Sequence, residues 1–200
     1  MTGEVVGSGG AGPDAAVEVT LRRPPPLGVP LRLDGTAVRD PEGTLVAELR
    51  RVPAFPAEAV PPVDAATAGA AAANYPGFVE HPFPTCYVCG PERPDGLRIF
   101  PGRLPDGRTA APFVVPADAG PATVWAALDC PGGWAVLAPG RPYVLGRMAA
   151  VVERVPAPGD ECVAIGAAVE AQGRKALVRS TVYGPAGERL GYARATWIAV

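Results

Sequence analysis

The pattern of apolar and polar positions places one apolar stretch between two groups of alternating runs. Residues 15–52 and 141–200 alternate with a period of about two and are divided by Gly and Pro turns, which predicts antiparallel strands. Between them, residues 124–137 carry almost only apolar or small side chains. A helix with that composition has no solvated face, so other structure must enclose it. The pattern therefore predicts a central helix wrapped by an antiparallel sheet.

The first alternating region predicts three strands, with the sequences VEVTLRR, LRLDGTAVRD and TLVAELRRV. A sheet this small buries too little surface to be stable alone. Its order of strands and turns resembles that of the last part of the chain. Residues 15–52 are therefore either an N-terminal strand extension that covers an exposed sheet edge or a degenerate half repeat that has lost its helix. Residues 1–14 are Gly-rich and polar, which is typical of a disordered lead.

Residues 53–80 form a connector that is rich in Pro and Ala. Its prolines exclude regular structure early, while the later Ala run predicts a short helix that stops before Pro76. A disordered linker is the alternative interpretation. Residues 81–200 form the main domain, in which residues 109–115 are predicted as a strand that precedes the central helix. After Arg141 the chain predicts four further strands over residues 144–155, 161–172, 175–184 and 188–200.

Asp129 is the one charged residue within the apolar stretch. A carboxylate inside an apolar helix costs free energy unless it is paired, neutralised or used, and functional sites tolerate such costs. The helix is predicted to begin at Gly120–Pro121, with Asp118 as a possible cap. Pro131 should kink it beside Asp129. The predicted functional site is therefore the kink that contains Asp129.

Charge and composition exclude several classes of function. The formal net charge is −2 and the Lys and Arg residues are scattered, which argues against a nucleic-acid partner. No apolar run reaches the roughly 18 residues of a membrane span, and the N-terminus lacks the pattern of a signal peptide. We therefore expect a cytoplasmic protein without a membrane partner.

The four cysteines are too few for a disulfide framework in a chain of 200 residues, so we expect reduced thiols or ligands. The segment Cys86-x-x-Cys89-Gly has the spacing of half a zinc site, but tetrahedral zinc needs four ligands. His81 and either Cys130 or Cys162 could complete the set. Packing in a tight turn is the favoured reading, so the expectation is no metal, with Cys86, Cys89 and His81 as minor candidates. Cys130 is either a nucleophile beside Asp129 or a packed thiol.

Three segments resemble the hotdog fold, and within it the phenylacetyl-CoA-thioesterase-like acyl-CoA thioesterases. CYVCGPERPDGLRIF is similar to the opening segment of that family, and TVWAALDCPGGWAVL is similar to its central helix. Residues 154–198 resemble its terminal meander. The resemblance implies an α+β hotdog fold with a long central helix, the pairing of two such units in a homodimer, and hydrolysis of an acyl-CoA thioester without a cofactor.

The same resemblance assigns roles to residues of this chain. Asp129 would be the general base or the nucleophile, and the Gly120 amide would stabilise the oxyanion. For Trp125 and Trp134 the favoured reading is packing in the sheet interior, and the alternative is that they border the acyl pocket. Arg174 would face the CoA phosphates or lie in a solvated turn.

The chain departs from the family at the start of the helix. The usual His-Gly-Gly is replaced by ADAGPAT, in which Pro121 has no N–H to donate. A thioesterase is therefore the first hypothesis. A non-catalytic acyl-CoA or small-molecule binding protein, or a hotdog lyase or dehydratase, is the alternative.

Overall fold

The computed structural model describes residues 15–53, 55, 59–138 and 140–200, and the predicted lead over residues 1–14 lies outside these ranges. The strands are β1 (Ala15–Leu21), β2 (Arg32–Asp34), β3 (Ala37–Arg39), β4 (Leu45–Pro53), β5 (Gly102–Arg103), β6 (Thr109–Val114), β7 (Tyr143–Val152), β8 (Glu161–Gln172), β9 (Lys175–Tyr183) and β10 (Arg189–Ala199), and the helices are α1 (Ala65–Ala72), α2 (Pro121–Ala127) and α3 (Cys130–Trp134). These ten strands form one antiparallel sheet, in the order β2-β3-β4-β1-β7-β10-β9-β8-β6-β5. No helix of the described residues is long and apolar enough to cross a membrane.

The strands of the main domain follow the predicted order. Strand β6 and the four strands after Arg141 begin and end within a few residues of the predicted positions. The β8–β9 turn contains Gly173 and the β9–β10 turn contains Gly187, both in the left-handed region that the turn residues indicated. The prediction of these strands is confirmed.

The N-terminal region differs from the prediction in one respect, because it has four strands instead of three. The expected strand over residues 31–40 is a hairpin of β2 and β3, since Gly35 has a φ of 60° and turns the chain sharply. Strand β1 pairs with β7, with Val19 opposite Met148, so these four strands extend the main sheet and cover the edge of β7. Their spatial order, β1-β4-β3-β2, matches that of β7-β10-β9-β8. A half repeat would account for this match and stays a prediction.

The connector packs along the outer face of the sheet. The Phe55 ring meets the Tyr192 ring edge to face at 5.2 Å, and the Val60 N–H donates to the Thr181 hydroxyl at 2.9 Å. The predicted short helix is present as α1, which Asp64 caps and which ends before Pro76. It is followed by a 3₁₀ turn at Pro76–Phe78. The connector as far as α1 therefore lies on the outer face, whereas Tyr75 at its end packs in the main core with α2 and α3.

The central helical stretch on the inner face is divided into two short helices. Helix α2 begins at Pro121 as predicted, but its cap is Gly120 and not Asp118. The Gly120 carbonyl accepts the Thr123 N–H at 2.9 Å, while the Gly120 N–H donates to the Thr123 hydroxyl at 3.0 Å. Leu128 and Asp129 separate α2 from α3. The long helix that the family resemblance implies is therefore interrupted, beside the predicted kink at Pro131.

Helix α3 lies directly on the sheet because glycines face each other across the contact. A Cβ built on Gly166 of β8 would lie 2.1 Å from the Pro131 carbonyl, and one on Gly133 would lie 2.5 Å from the Trp197 ring. The Gly132 N–H donates to the buried Ser180 hydroxyl at 3.0 Å. The start of α3 is thereby fixed against the sheet.

A long segment without regular structure covers the other side of these helices. Residues 79–101, all of them described, form no helix or strand. Two backbone hydrogen bonds fold the segment on itself, from Leu97 N–H to Tyr87 at 2.8 Å and from Ile99 N–H to Val88 at 2.9 Å. Ile99 is completely buried. We call residues 79–101 the cover loop.

Candidate functional site

Asp129 lies at the break between α2 and α3, where the helical hydrogen-bond pattern is interrupted. The residue is half-buried, yet its Oδ1 atom is inaccessible and has no hydrogen-bond partner among the described residues. Burial, together with the negative charge at Cys86, raises the pKa of this carboxyl to about 7. The structure thus places a carboxyl of unusual basicity at the predicted position.

The Gly120 amide is not free in this conformation. Its N–H is bound to the hydroxyl of Thr123, and the next residue, Pro121, has no N–H. A second buried polar atom without a partner among the described residues is the indole nitrogen of Trp197, whose ring packs against Gly133 of α3. Sequence reasoning missed this N–H donor, because only the strand register places Trp197 under the helix.

The first residue of α3, Cys130, meets two cysteines of the cover loop. The sulfur atoms of Cys86, Cys89 and Cys130 all lie within 4.8 Å of one another, and all four cysteines of the chain are free. The sulfur atoms of Cys86 and Cys130 are 3.8 Å apart, close enough for a hydrogen bond that either thiol can donate. Hydrogen bonding with the Cys130 and Cys89 thiols holds the pKa of Cys86 well below its ordinary value. We call these three residues the thiol cluster.

His81 and Trp134 border the thiol cluster. The His81 Nε2 atom lies 3.4 Å from the Cys89 sulfur, and the Trp134 indole N–H donates to the same sulfur at 3.4 Å. Tyr75 packs on both rings, at 6.1 Å from His81 and 4.6 Å from Trp134, and its hydroxyl donates to the Cys89 carbonyl at 3.2 Å. No spacing in the sequence could predict that Tyr75 and His81 meet here, because the distance from the connector and the cover loop to α3 depends on how both segments fold.

The predicted substrate-binding residues lie in different places. Trp134 is 6% exposed and Trp125 packs against the main core at partial exposure, so both contribute to the core. Trp134 also lines a cavity of about 510 Å³ between α3 and the start of the cover loop. Arg174, in the β8–β9 turn, donates to the Ala199 carbonyl at 3.0 Å, and its assignment to the CoA phosphates stays a prediction.

The residues that line this cavity are mainly apolar. The two charged residues among the described lining residues are Arg103, whose guanidinium donates to the Leu137 carbonyl at 2.9 Å, and Glu80 at the rim. Asp129 does not line the cavity, but Trp134 lies five residues after it, which corresponds to about 7.5 Å at the α-helical rise of about 1.5 Å per residue. Among the described residues, the lining consists of Pro76, Val79, Glu80, Pro82, Arg103, Trp134, Leu137, Ala138, Gly140 and Pro142.

The comparisons with known proteins rest on structure. No protein-family profile matches the chain, and no curated protein matches it. A solved structure described as a thioesterase superfamily protein is similar with a TM-score of 0.51 at 16% identity, over 57% of this chain and 60% of that one. The Escherichia coli PaaI protein from the phenylacetic acid degradation operon has a TM-score of 0.44 at 12% identity, over 47% of this chain and 73% of that one. A Streptococcus mutans protein bound to acetyl-CoA has a TM-score of 0.43 at 16% identity, over 47% and 82%. The sheet order and the similarity to the thioesterase superfamily structure with a TM-score of 0.51 together identify the chain as an α+β protein of the hotdog fold.

Proposed function

We propose that the chain hydrolyses the thioester of an acyl-CoA, with Asp129 as the general base. The observation that carries this proposal is the Asp129 carboxyl at the helix break, which has one oxygen without a partner among the described residues. The hotdog fold adds support, because a thioesterase superfamily structure is similar over more than half of this chain. The segment TVWAALDCPGGWAVL, which resembles the central helix of such thioesterases, contains the same residue.

The chemistry requires a carboxylate close to a water molecule and to the thioester carbonyl. Asp129 accepts a proton from the water, whose oxygen forms a bond to the carbonyl carbon. The carbon–sulfur bond then breaks, and the CoA thiolate leaves and takes up a proton. As a nucleophile, Asp129 would instead form an anhydride with the acyl group before water attacks.

The cavity beside Trp134 is the acyl pocket in this proposal. Its volume of about 510 Å³ falls within the range of small-molecule sites, and its lining is mainly apolar. Val79 at its rim is 94% exposed, so a larger side chain fits there without disturbing the core. Val79→Trp should lower turnover of long acyl chains more than that of acetyl-CoA. Leu27→Trp, at an equally exposed position outside the cavity, is the matched control.

A second function is favoured by the start of α2. The Gly120 N–H, which would stabilise an oxyanion, is occupied by Thr123, and Pro121 supplies no replacement. A chain without an oxyanion donor would bind an acyl-CoA without hydrolysing it. Binding without turnover is therefore the alternative function.

The experiment that separates the two functions is thiol release from short, long and aromatic acyl-CoAs. Wild type is compared with Asp129→Asn and with Asp118→Asn. The second variant removes an exposed carboxylate just before α2. For a hydrolase, Asp129→Asn should lose about 100-fold or more in kcat/KM while Asp118→Asn stays near wild type. Thermal melting of each variant shows that the fold is retained.

Two results would contradict the proposed role. Equal turnover by wild type and Asp129→Asn would remove Asp129 from the chemistry. The absence of thiol release by wild type, with acyl-CoA binding still measured by calorimetry, would favour the non-catalytic function. Analytical ultracentrifugation of the same samples tests the predicted homodimer.

A further inference from the structure

The thiol cluster joins two parts of the chain that are distant in sequence. Cys86 and Cys89 come from the cover loop, whereas Cys130 is the first residue of α3. The sulfur atoms of Cys86 and Cys130 are 3.8 Å apart, far longer than the roughly 2.05 Å of a disulfide. Packing in a tight turn accounts for Cys86 and Cys89, but it does not account for a third buried thiol, Cys130, that comes from α3.

Two distances, one within the cluster and one from the cluster to His81, match tetrahedral metal coordination. Zn–S bonds of about 2.3 Å place two sulfur ligands of one zinc ion about 3.8 Å apart. Cys86 and Cys130 have this separation, at 3.8 Å. A sulfur and a nitrogen ligand of the same ion lie about 3.6 Å apart. The Cys89 sulfur and the His81 Nε2 atom are 3.4 Å apart.

His81 needs two adjustments to become the fourth ligand. Its Nε2 atom lies 3.4 Å from the Cys89 sulfur but not within 4.8 Å of all three sulfur atoms, so the ring must move closer to the others. Its Nδ1 atom accepts the Phe83 N–H at 2.8 Å, whereas an imidazole that binds zinc through Nε2 carries its proton on Nδ1. The ring must therefore turn away from the Phe83 amide. This hydrogen bond lies at the protein surface, where water can replace it.

The surroundings of the sulfur atoms also suit a metal. The Trp134 indole N–H donates to the Cys89 sulfur at 3.4 Å. Such donors orient and stabilise metal-bound thiolates. Gly90 closes the turn, because a Cβ there would lie 2.4 Å from the Cys86 nitrogen.

We propose that Cys86, Cys89, Cys130 and His81 hold one structural zinc ion that fixes the cover loop to the start of α3. Three thiolates and one imidazole in tetrahedral geometry favour zinc over the oxygen-preferring cations. This site goes beyond the proposed hydrolysis, which does not use a metal. Its role is to hold a segment of 23 residues that has no strand or helix of its own, next to the helix break that contains Asp129.

The test begins with the metal content of the purified full-length chain, measured by inductively coupled plasma mass spectrometry after expression with added zinc. The variants are Cys86→Ser, Cys130→Ser and His81→Ala. Cys162→Ser is the matched control, since this buried thiol lies outside the cluster. Wild type and Cys162→Ser should each hold one zinc ion per chain, and the two cluster cysteine variants should hold almost none.

His81→Ala should weaken zinc binding by more than the roughly 10- to 100-fold that loss of an outer-shell partner causes. Cobalt(II) added to the metal-free chain should give the intense visible absorption of tetrahedral cobalt and a thiolate charge-transfer band. A second measurement needs no variant that could fail to fold: a mercurial reagent added to the wild type should release zinc as the thiols of the cluster react.

Several outcomes would overturn the proposal. These are a wild-type chain that takes up neither zinc nor cobalt, iron bound in place of zinc, a disulfide between Cys86 and Cys130, and full zinc content in both cysteine variants. Unchanged affinity in His81→Ala would overturn the assignment of the fourth ligand. None of these readouts depends on thioester hydrolysis, so the zinc site and the proposed activity fail or succeed separately.

Discussion

Gly166→Ala tests the close contact between α3 and the sheet. The added Cβ would lie 2.1 Å from the Pro131 carbonyl, whereas ordinary contacts begin at 3.4 Å. The two backbones would therefore have to separate by about 1.3 Å. Overpacking of this kind costs about 1–3 kcal/mol in the free energy of unfolding. For a chain of this size each kcal/mol lowers Tm by about 2–4 °C, so the expected fall is about 2–12 °C.

The assay is thermal unfolding followed by circular dichroism or calorimetry. Gly69→Ala is the matched control, because it makes the same change within α1 at a position where a Cβ meets nothing within 4 Å. Since alanine favours a helix over glycine by about 0.5–1 kcal/mol, this control should raise Tm. The expected result is a lower Tm for Gly166→Ala and a higher Tm for Gly69→Ala, each relative to wild type. A Gly166→Ala variant that melts at or above the wild-type temperature would refute the close packing of α3 on β8.

Three further predictions concern other parts of the sheet. Ser180→Ala should cost about 1–3 kcal/mol, because it leaves the buried Gly132 N–H without its acceptor; chemical denaturation measures the loss, and an unchanged midpoint would speak against the hydrogen bond. Glu18→Gln should cost about 1 kcal/mol, since the nearly buried Glu18 carboxylate accepts from the exposed Arg50 guanidinium at 2.6 Å; a salt-independent Tm difference would contradict this origin. Burial raises the pKa of Cys162 from 9.0 to about 11. As the pH rises between these values, the thiol therefore ionises in the unfolded chain before it does so in the folded chain, and the stability of the fold should fall. Cys162→Ala should show a smaller fall in Tm over that interval.

The strands could be predicted because their signals are local. Alternation and turn glycines such as Gly173 and Gly187 lie within each hairpin, so the sequence alone defined the meander of the main domain. The hairpin at Gly35 was missed because strands of three residues are too short to show alternation. The prediction that Asp118 caps α2 was wrong, because the cap is formed by the backbone of Gly120 and not by a side chain.

The candidate site depended on contacts that no local pattern contains. Asp129 could be chosen because a carboxylate within an apolar stretch is visible in the sequence itself. The convergence of Cys89 and Cys130 could not be seen, since it follows from how the cover loop folds back over α3. The sequence alone could not distinguish Cys130 from Cys162 as a further zinc ligand. The structure places Cys130 in the thiol cluster and Cys162 outside it.

The pairing of β1 with β7 has a consequence for symmetry. If two identical hotdog units were joined edge to edge, an equivalent helix with an equivalent carboxylate would lie on each side of the line where the two units meet, which we call the seam. Here the N-terminal strands β1 to β4 continue the sheet, yet none of the described residues among them forms a helix, so the seam has a helical layer on one side only. A chain built in this way offers a single Asp129 and a single thiol cluster. The proposed acyl-CoA site and the proposed zinc site therefore each predict one ligand per chain.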